Sequence, residues 1–388
     1  MTTHDILAFA VASEAVRRIR NAEPPWDQFF SQDVFTTSSR AWPLPDFVIH
    51  DASNGLSLAA EFKPPSQSKR EYLTGLGQAV AYTNHFKYSA LIVPPLSDDG
   101  YAIAEHIRAV LSQTIAANLP IALLQYDPRT LSTQSAGFDL LRVPAYRTDE
   151  PTETSRIDNS FWAKWRDISP NEIGAFLEHL YDESRVRGRG TDGTVRDRAF
   201  ERLWEDVQVG RLRHWGGGTR VITDTEANKI GWMKNYRNFI YHLGWMDNQG
   251  QLTEEGLDSL HIVHRYGAEA RLFLDHLALA LLLSGKHLVL INAINEFQIA
   301  RFQESGPFPD ERTWLEEVET YLEETGMLKR NPERHAAAIR GSARGFLKAE
   351  KTLWRNLELI VPNGARVYHP ERGFIFDWSR ITALLIRD

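Results

Sequence analysis

The stretch "PDFVIHDASNGLSLAAEFKPP", residues 45–65, constrains this chain more than any other. Asn-Gly between two apolar runs is among the strongest short hairpin signals, because a tight two-residue turn needs positive φ at its centre. Pro45 opens the first run and Pro64-Pro65 stops the second, so the lengths of both strands are bounded. A two-residue loop at Asn54-Gly55 pairs Ser53 with Leu56, and so places Asp46 opposite Lys63 and Val48 opposite Glu61. Side chains alternate faces along a strand. One face then carries Asp46, Val48, His50, Ser57, Ala59, Glu61 and Lys63; the other carries Phe47, Ile49, Leu56, Leu58, Ala60 and Phe62. The apolar row packs inward, and the three charges Asp46, Glu61 and Lys63 gather at one end of the other face. They are expected to share a site.

The flanks set this hairpin inside a larger sheet. Residues 4–22 have apolar positions near helical spacing, and 70–85 and 101–117 read as further helices. "YSALIV" at 88–93 and "IALLQY" at 121–126 read as buried strands. Such alternation implies an α/β domain, a mixed sheet flanked by helices, over residues 1–146. The polar segment 147–160 reads as a linker, and two mainly helical regions, 161–285 and 286–388, follow it. At 231–260 a helix, a short turn with Asn248 and Gly250, and a helix capped by Thr253 are expected. That order is similar to a winged helix, in which the turn belongs to the wing.

Composition narrows the chemistry. With no cysteine, disulfides, thiolate metal sites and cysteine nucleophiles are excluded. The most apolar segment, 272–285, is interrupted by Asp275 and His276 and reads as a buried helix. The N-terminus lacks a basic region before its apolar residues, so no signal peptide is expected and a cytoplasmic protein is the default. Net charge is −7, yet Arg185–Arg237 holds twelve Lys/Arg against seven Asp/Glu, and Lys329–Arg372 ten against four. Basic character is concentrated in the second half, as expected of a nucleic-acid binder.

Asp46 after a proline, with Glu61-Phe62-Lys63 beginning fifteen residues later, resembles the motif of the PD-(D/E)xK nuclease superfamily, to which restriction endonucleases belong. The preceding helix and the following strand–helix–strand also match its common core, so the resemblance covers about residues 1–130. It implies that Asp46, Glu61 and the backbone carbonyl of Phe62 hold Mg²⁺, with Mn²⁺ as a substitute, while Lys63 orients the attacking water. It further assigns Glu14, on the first helix, to an acid that many members add to the site. Gln78 and Tyr82, one turn apart, match the Gln-x3-Tyr motif of the RecB-like subset.

Other motifs carry less. "WGGGTR" at 215–220 lacks the lysine of a phosphate-binding loop, and the histidines at 242, 261 and 264 form no HExxH pattern. The helix at 228–244 presents Lys229, Lys234, Asn235, Arg237 and Asn238, residue types that contact phosphates and bases, with Ile230, Met233, Phe239 and Ile240 expected to face inward. Together these features lead to the expectation of a Mg²⁺-dependent endodeoxyribonuclease of type II restriction kind, acting on double-stranded DNA as a homodimer or a transient dimer. The alternatives are a structure-specific or defence-associated nuclease and a catalytically inactive DNA-binding regulator.

Overall fold

The computed structural model describes residues 3–386 apart from 25, 40, 114–115, 130–137, 150, 152–160, 164–167, 186–193, 216–217, 220–221, 248, 330–346 and 365. Most of the expected linker, and part of the second basic run, lie outside the described residues. The chain divides into two compact units, Thr2–Phe161 with Glu316–Pro332, and Trp162–Leu315 with Glu333–Asp388.

The first unit starts with helix α1 (Thr3–Arg20) and contains strands β1 (Val34–Thr37), β2 (Phe47–Asp51), β3 (Leu56–Phe62), β4 (Tyr88–Val93), β5 (Ile121–Tyr126) and β6 (Phe138–Arg142). They form one six-stranded sheet in sequence order. The β3–β4 and β4–β5 pairs are parallel and the rest antiparallel, so the sheet is mixed, as expected. Helices α2 (Lys69–Tyr82) and α3 (Ile103–Leu111) make the two parallel crossovers. Tyr72 and Ala79 of α2 and Ile103, Ala104, Ile107 and Leu111 of α3 bury against Leu91, Val93, Ile121 and Leu123. Helix α3 ends well before residue 117, because Ser112 and Gln113 interrupt its apolar stripe and the Ser112 hydroxyl bonds back to the Arg108 carbonyl.

The hairpin departs from the expected turn. Pairing of β2 with β3 runs from Phe47–Ala60 to Asp51–Leu56, leaving residues 52–55 as the loop. The cause is Asp51. Its buried carboxylate accepts hydrogen bonds from the Ser53 amide (3.0 Å) and the Asn54 amide (3.0 Å), and from the Ser31 amide and hydroxyl (both 2.6 Å). The side chain thereby builds an Asx-type turn in place of the two-residue one. Relative to expectation the register slips by two positions, an even number, so every side chain keeps its face. Asp46 consequently lies across from Glu61 rather than Lys63, and the Asp46 amide extends the ladder by bonding the Ala60 carbonyl at 3.0 Å.

Burial opposes ionisation of Asp51, but the Ser31 and Asn54 donors outweigh it and hold its carboxyl below the usual value of about 3.8. A group depressed in the folded state stabilises above the unfolded pKa, and that contribution is lost as pH falls through the folded one. Asp51→Ala is expected to cost about 2–4 kcal/mol at neutral pH, since it orphans several donors at once. Urea denaturation at pH 7 and pH 3 checks this: the gap between wild type and variant should shrink at the lower pH, and an equal gap at both would refute the assignment.

The second unit is mostly helical: α4 (Pro170–Arg185), α5 (Val195–Gln208), α6 (Glu226–His242), α7 (Glu254–Tyr266), α8 (Arg271–Leu282) and α9 (His287–Ser305) come first. Helix α10 (Glu311–Glu324) runs across the division, and α11 (Lys348–Asn356), the short strands β7 (Tyr368–His369) and β8 (Gly373–Phe374) and α12 (Trp378–Ile386) complete the unit. Thr225 and Thr253 cap α6 and α7 through their side chains, the latter as the sequence suggests. A single antiparallel bridge, Met246–Leu252, closes the turn between those two helices. Among the described residues no single helix is long and apolar enough to cross a membrane; the bent pair α8 and α9 passes that test together, by length and composition only.

Candidate active site

Asp46, Glu61 and Lys63 come to one end of β2 and β3: Glu61 and Lys63 are paired and buried under α2, while Asp46 is half-buried against the Phe62 amide. Val48 and Ala59, their neighbours on that face, are buried beneath Tyr82 and Phe86. Glu61 is 3% exposed and Lys63 9%, and the Lys63 ammonium sits 2.9 Å from the Glu61 carboxylate. The Tyr82 hydroxyl donates to the other Glu61 oxygen and lies 3.0 Å from the Leu44 carbonyl. Burial, then the neighbouring Glu61 charge, pushes the Tyr82 hydroxyl far up, so it remains a donor. Asp46 accepts a 2.7 Å hydrogen bond from the Phe62 amide, which fixes its carboxylate beside the Phe62 carbonyl.

The backbone around Lys63 is pinned from several sides. The Lys63 amide bonds the Ile92 carbonyl at 2.9 Å, and the Tyr126 hydroxyl donates to the Lys63 carbonyl at 3.2 Å. The Tyr72 hydroxyl lies 2.9 Å and 3.1 Å from the carbonyls of Pro64 and Pro65. Such anchoring holds a first layer of functional groups in place without strain in the groups themselves.

Two residues not foreseen from the sequence complete the cluster. His4, at the start of α1, places Nε2 3.0 Å from the Phe62 carbonyl and 3.6 Å from the Asp46 carboxylate, with Nδ1 3.4 Å from Asp5. Burial alone would lower the imidazole pKa; the Asp5 hydrogen bond, the Asp46 charge and the Phe62 carbonyl overcome it and raise the group to about 9. The ligand atoms of His4, Asp5 and Asp46 all lie within 4.8 Å of one another. Neighbouring ligands on a small octahedral dication with bonds of about 2.1 Å are about 3.0 Å apart. The His4–Phe62 spacing equals such an edge, and the Asp46 spacing is somewhat wider. Among the described residues His4, Asp5 and Asp46 form the group whose ligand atoms are close enough to share one cation, with the Phe62 carbonyl beside them; Glu61 is not part of that group, and its two oxygens are engaged by Lys63 and Tyr82. With its pKa raised to about 9, the His4 imidazole must give up a proton before either nitrogen can bind a metal.

Glu14 is elsewhere. It lies ten residues beyond His4, about 15 Å along the helix axis. Its buried carboxylate is taken up by Arg17 (2.7 and 2.8 Å) and Arg18 (2.9 Å), so it holds α1 rather than joining the cluster. Gln78 is half-buried on the α2 face that also carries Gly75 and Tyr82, and its amide makes no hydrogen bond among the described residues.

No protein-family profile matches this chain, and no curated protein matches it. What the residues do rests on their geometry.

The second group of candidates, on α6, is split by burial. Trp232, Tyr236, Phe239 and Ile240 form the inward face, whereas Ile230, expected to pack, is 39% exposed. Aromatic bulk at i, i+4 and i+7 sets the buried stripe and rotates Ile230 out of it. Lys229 is ion-paired with Glu201. Asn235 and Arg237 are half-buried, and Arg237 is engaged within the protein. Lys234 and Asn238, one turn apart, face solvent.

Gly75 carries a testable consequence. A Cβ there would meet the Lys63 stem at 2.7 Å (Cε) and 3.2 Å (Cγ). The closest obstacle is a flexible side chain, and the other, Leu91 Cδ1 at 3.1 Å, has to give only a few tenths of an ångström, so Gly75→Ala should fold and displace the lysine. We expect the melting temperature to move by no more than a few degrees, while any reaction that uses the Lys63 ammonium should slow about tenfold or more, since small misplacements of a reacting group are costly. Unchanged turnover in a folded Gly75→Ala variant would show that the Lys63 position is not critical.

Proposed function

We propose that the chain is a metal-dependent endodeoxyribonuclease. The observation that carries this reading is the convergence of Asp46, Glu61, the Phe62 carbonyl and Lys63 at one sheet end, with His4 beside them. The buried Glu61 and half-buried Asp46 carboxylates, with the Phe62 carbonyl, are the hard oxygen donors that would hold Mg²⁺, with Mn²⁺ as a substitute. A dication held by these groups would polarise a phosphodiester and lower the pKa of bound water.

The chain's own groups supply the rest. Asp46 and Glu61, fixed by the Phe62 amide and the Tyr82 hydroxyl, orient their oxygens before substrate arrives. The Lys63 ammonium, held against Glu61, orients the nucleophilic water and offsets negative charge that grows on the phosphoryl oxygens. The resemblance to PD-(D/E)xK enzymes adds products with 3′-hydroxyl and 5′-phosphate ends. In the second unit, α6 followed by the bridged turn at Met246–Leu252 gives a winged-helix-like reader of double-stranded DNA, with Lys234 and Asn238 as its exposed contacts. Sequence-specific cleavage by a dimer of restriction type follows most simply from a separate reader unit.

The test is digestion of mixed plasmid and genomic DNA with Mg²⁺ or Mn²⁺, with EDTA as control, followed by end sequencing. Metal-dependent cuts bearing 5′-phosphates are expected, at recurring sequences. Cutting confined to branched or ended substrates would move the reading to a structure-specific nuclease; intact DNA under all metals would overturn it.

A further inference from the structure

Directly before the catalytic acid the chain exposes two large apolar side chains. In the segment Trp42-Pro43-Leu44-Pro45-Asp46, Trp42 is 84% exposed and Leu44 53%. The loop is nevertheless well held. Ala41 packs against the Val48, Ala59, Tyr82 and Phe86 cluster, and its amide bonds the Ser39 hydroxyl at 3.2 Å. The Leu44 carbonyl lies 3.0 Å from the Tyr82 hydroxyl, the same hydroxyl that donates to Glu61. Pro43 and Pro45 fix φ on either side of Leu44. An indole presented to water on a stiffened, anchored loop is exposed by construction.

Its position identifies the occupant. Leu44 precedes Asp46 by two residues, so their Cα atoms are at most about 7 Å apart. Whatever places a phosphodiester against Asp46 and Glu61 also places the adjoining nucleotides against Leu44 and Trp42. Base pairs stack about 3.4 Å apart along a duplex, and an indole side chain is long enough to reach the step next to the phosphate being cut. Aromatic and aliphatic side chains used in this way unstack a step and kink the duplex.

We infer that Trp42, supported by Leu44, enters the base stack beside the scissile phosphate and holds that step open during cleavage. This deepens the nuclease reading and rests on it. The substrate is then duplex DNA that opens easily at the cut, and flexible pyrimidine–purine steps, TA and CA/TG, are the ones that open at least cost.

The experiment uses the full chain and two maps made on the same mixed plasmid and genomic DNA. Mg²⁺ or Mn²⁺ digestion with end sequencing gives the cut positions. Permanganate oxidation, which attacks unstacked thymines, gives the opened positions when the protein is bound in Ca²⁺. Wild type should produce permanganate-reactive thymines within about two nucleotides of the mapped cuts, with cuts enriched at pyrimidine–purine steps. Trp42→Ala should lose that reactivity and cleave about 5- to 150-fold more slowly, the range expected for loss of one base–aromatic stack. Trp42→Phe should restore most of both, and an unchanged thermal melt would show that either variant is folded. Cuts without nearby reactivity, or reactivity unaltered in Trp42→Ala, would overturn the inference and leave the nuclease reading intact. A change of oligomeric state in Trp42→Ala with reactivity unaltered would assign the blade to a second copy of the chain, and also overturn it. No cuts by wild type with either metal would overturn the nuclease reading and this inference with it.

Discussion

Asp46→Ala and Glu61→Ala should each slow DNA cleavage by more than about a hundredfold, beyond the loss typical of groups that only support a metal ligand. In the proposed reading both carboxylates are ligands of the same ion, so neither can replace the other. Glu61 also anchors Lys63 at 2.9 Å and receives the Tyr82 hydroxyl, and its removal loosens two further groups. Asp46 has a separate structural duty, the 2.7 Å hydrogen bond from the Phe62 amide. A melt of each variant must therefore accompany single-turnover cleavage, DNA binding and Mn²⁺ calorimetry. Binding of DNA should persist while heat of metal binding falls. Glu14→Gln makes the contrast, because its partners are Arg17 and Arg18 and its cleavage rate should stay near wild type. Equal loss in Glu14→Gln, or more than a few per cent residual cleavage in both Asp46→Ala and Glu61→Ala, would sink the assignment.

The largest expected stability effect belongs to Gly256→Ala. A Cβ at this position in α7 would stand 2.1 Å from the Trp245 carbonyl oxygen and 3.0 Å from its carbon. Those are backbone atoms, so no rotamer change relieves the clash. Nor can the turn give way cheaply. The Thr253 amide bonds the Trp245 carbonyl at 3.1 Å, the Thr253 hydroxyl bonds the Gly244 carbonyl at 2.6 Å, and the Trp245 indole is stacked on His276. Overpacking of this kind costs about 3 kcal/mol or more. For a unit of this size that corresponds to a fall in melting temperature of about 6–12 °C. Calorimetry of the full chain reads it directly; a shift of under two degrees would mean that the turn relaxes freely.

Much of the sheet unit was legible because its signals are local. Alternation along 46–63 gives the two faces correctly, and the continuous apolar runs at 88–93 and 121–126 give the parallel core. The turn was not legible because it depends on Asp51 reaching Ser31, a contact outside any local window. For the same reason His4 escaped notice. Nothing in a helix-initial His-Asp shows that it will land on the Phe62 carbonyl, whereas Asp46 and Glu61 are joined by a hairpin whose register can be argued. On α6 the periodicity placed Phe239 and Ile240 on the buried face correctly, but weighting Ile230 and Met233 over Trp232 and Tyr236 misplaced the first half of the stripe.

Residues 316–332 belong to the sheet unit although about 170 residues separate them from its last strand. The Gly326 carbonyl accepts from both the amide and the hydroxyl of Thr36 at 2.8 Å, and Lys329 lies over the Phe35 ring. β1 is one of the two outer strands, and an uncovered outer strand invites pairing with another chain. In chain order, the helical stretch 162–315 is thus an insertion within the sheet unit rather than an appendage to it. A fragment ending near residue 150 would leave the flank of β1 bare and prone to self-association, so an excised sheet unit must carry residues 316–332 as a graft.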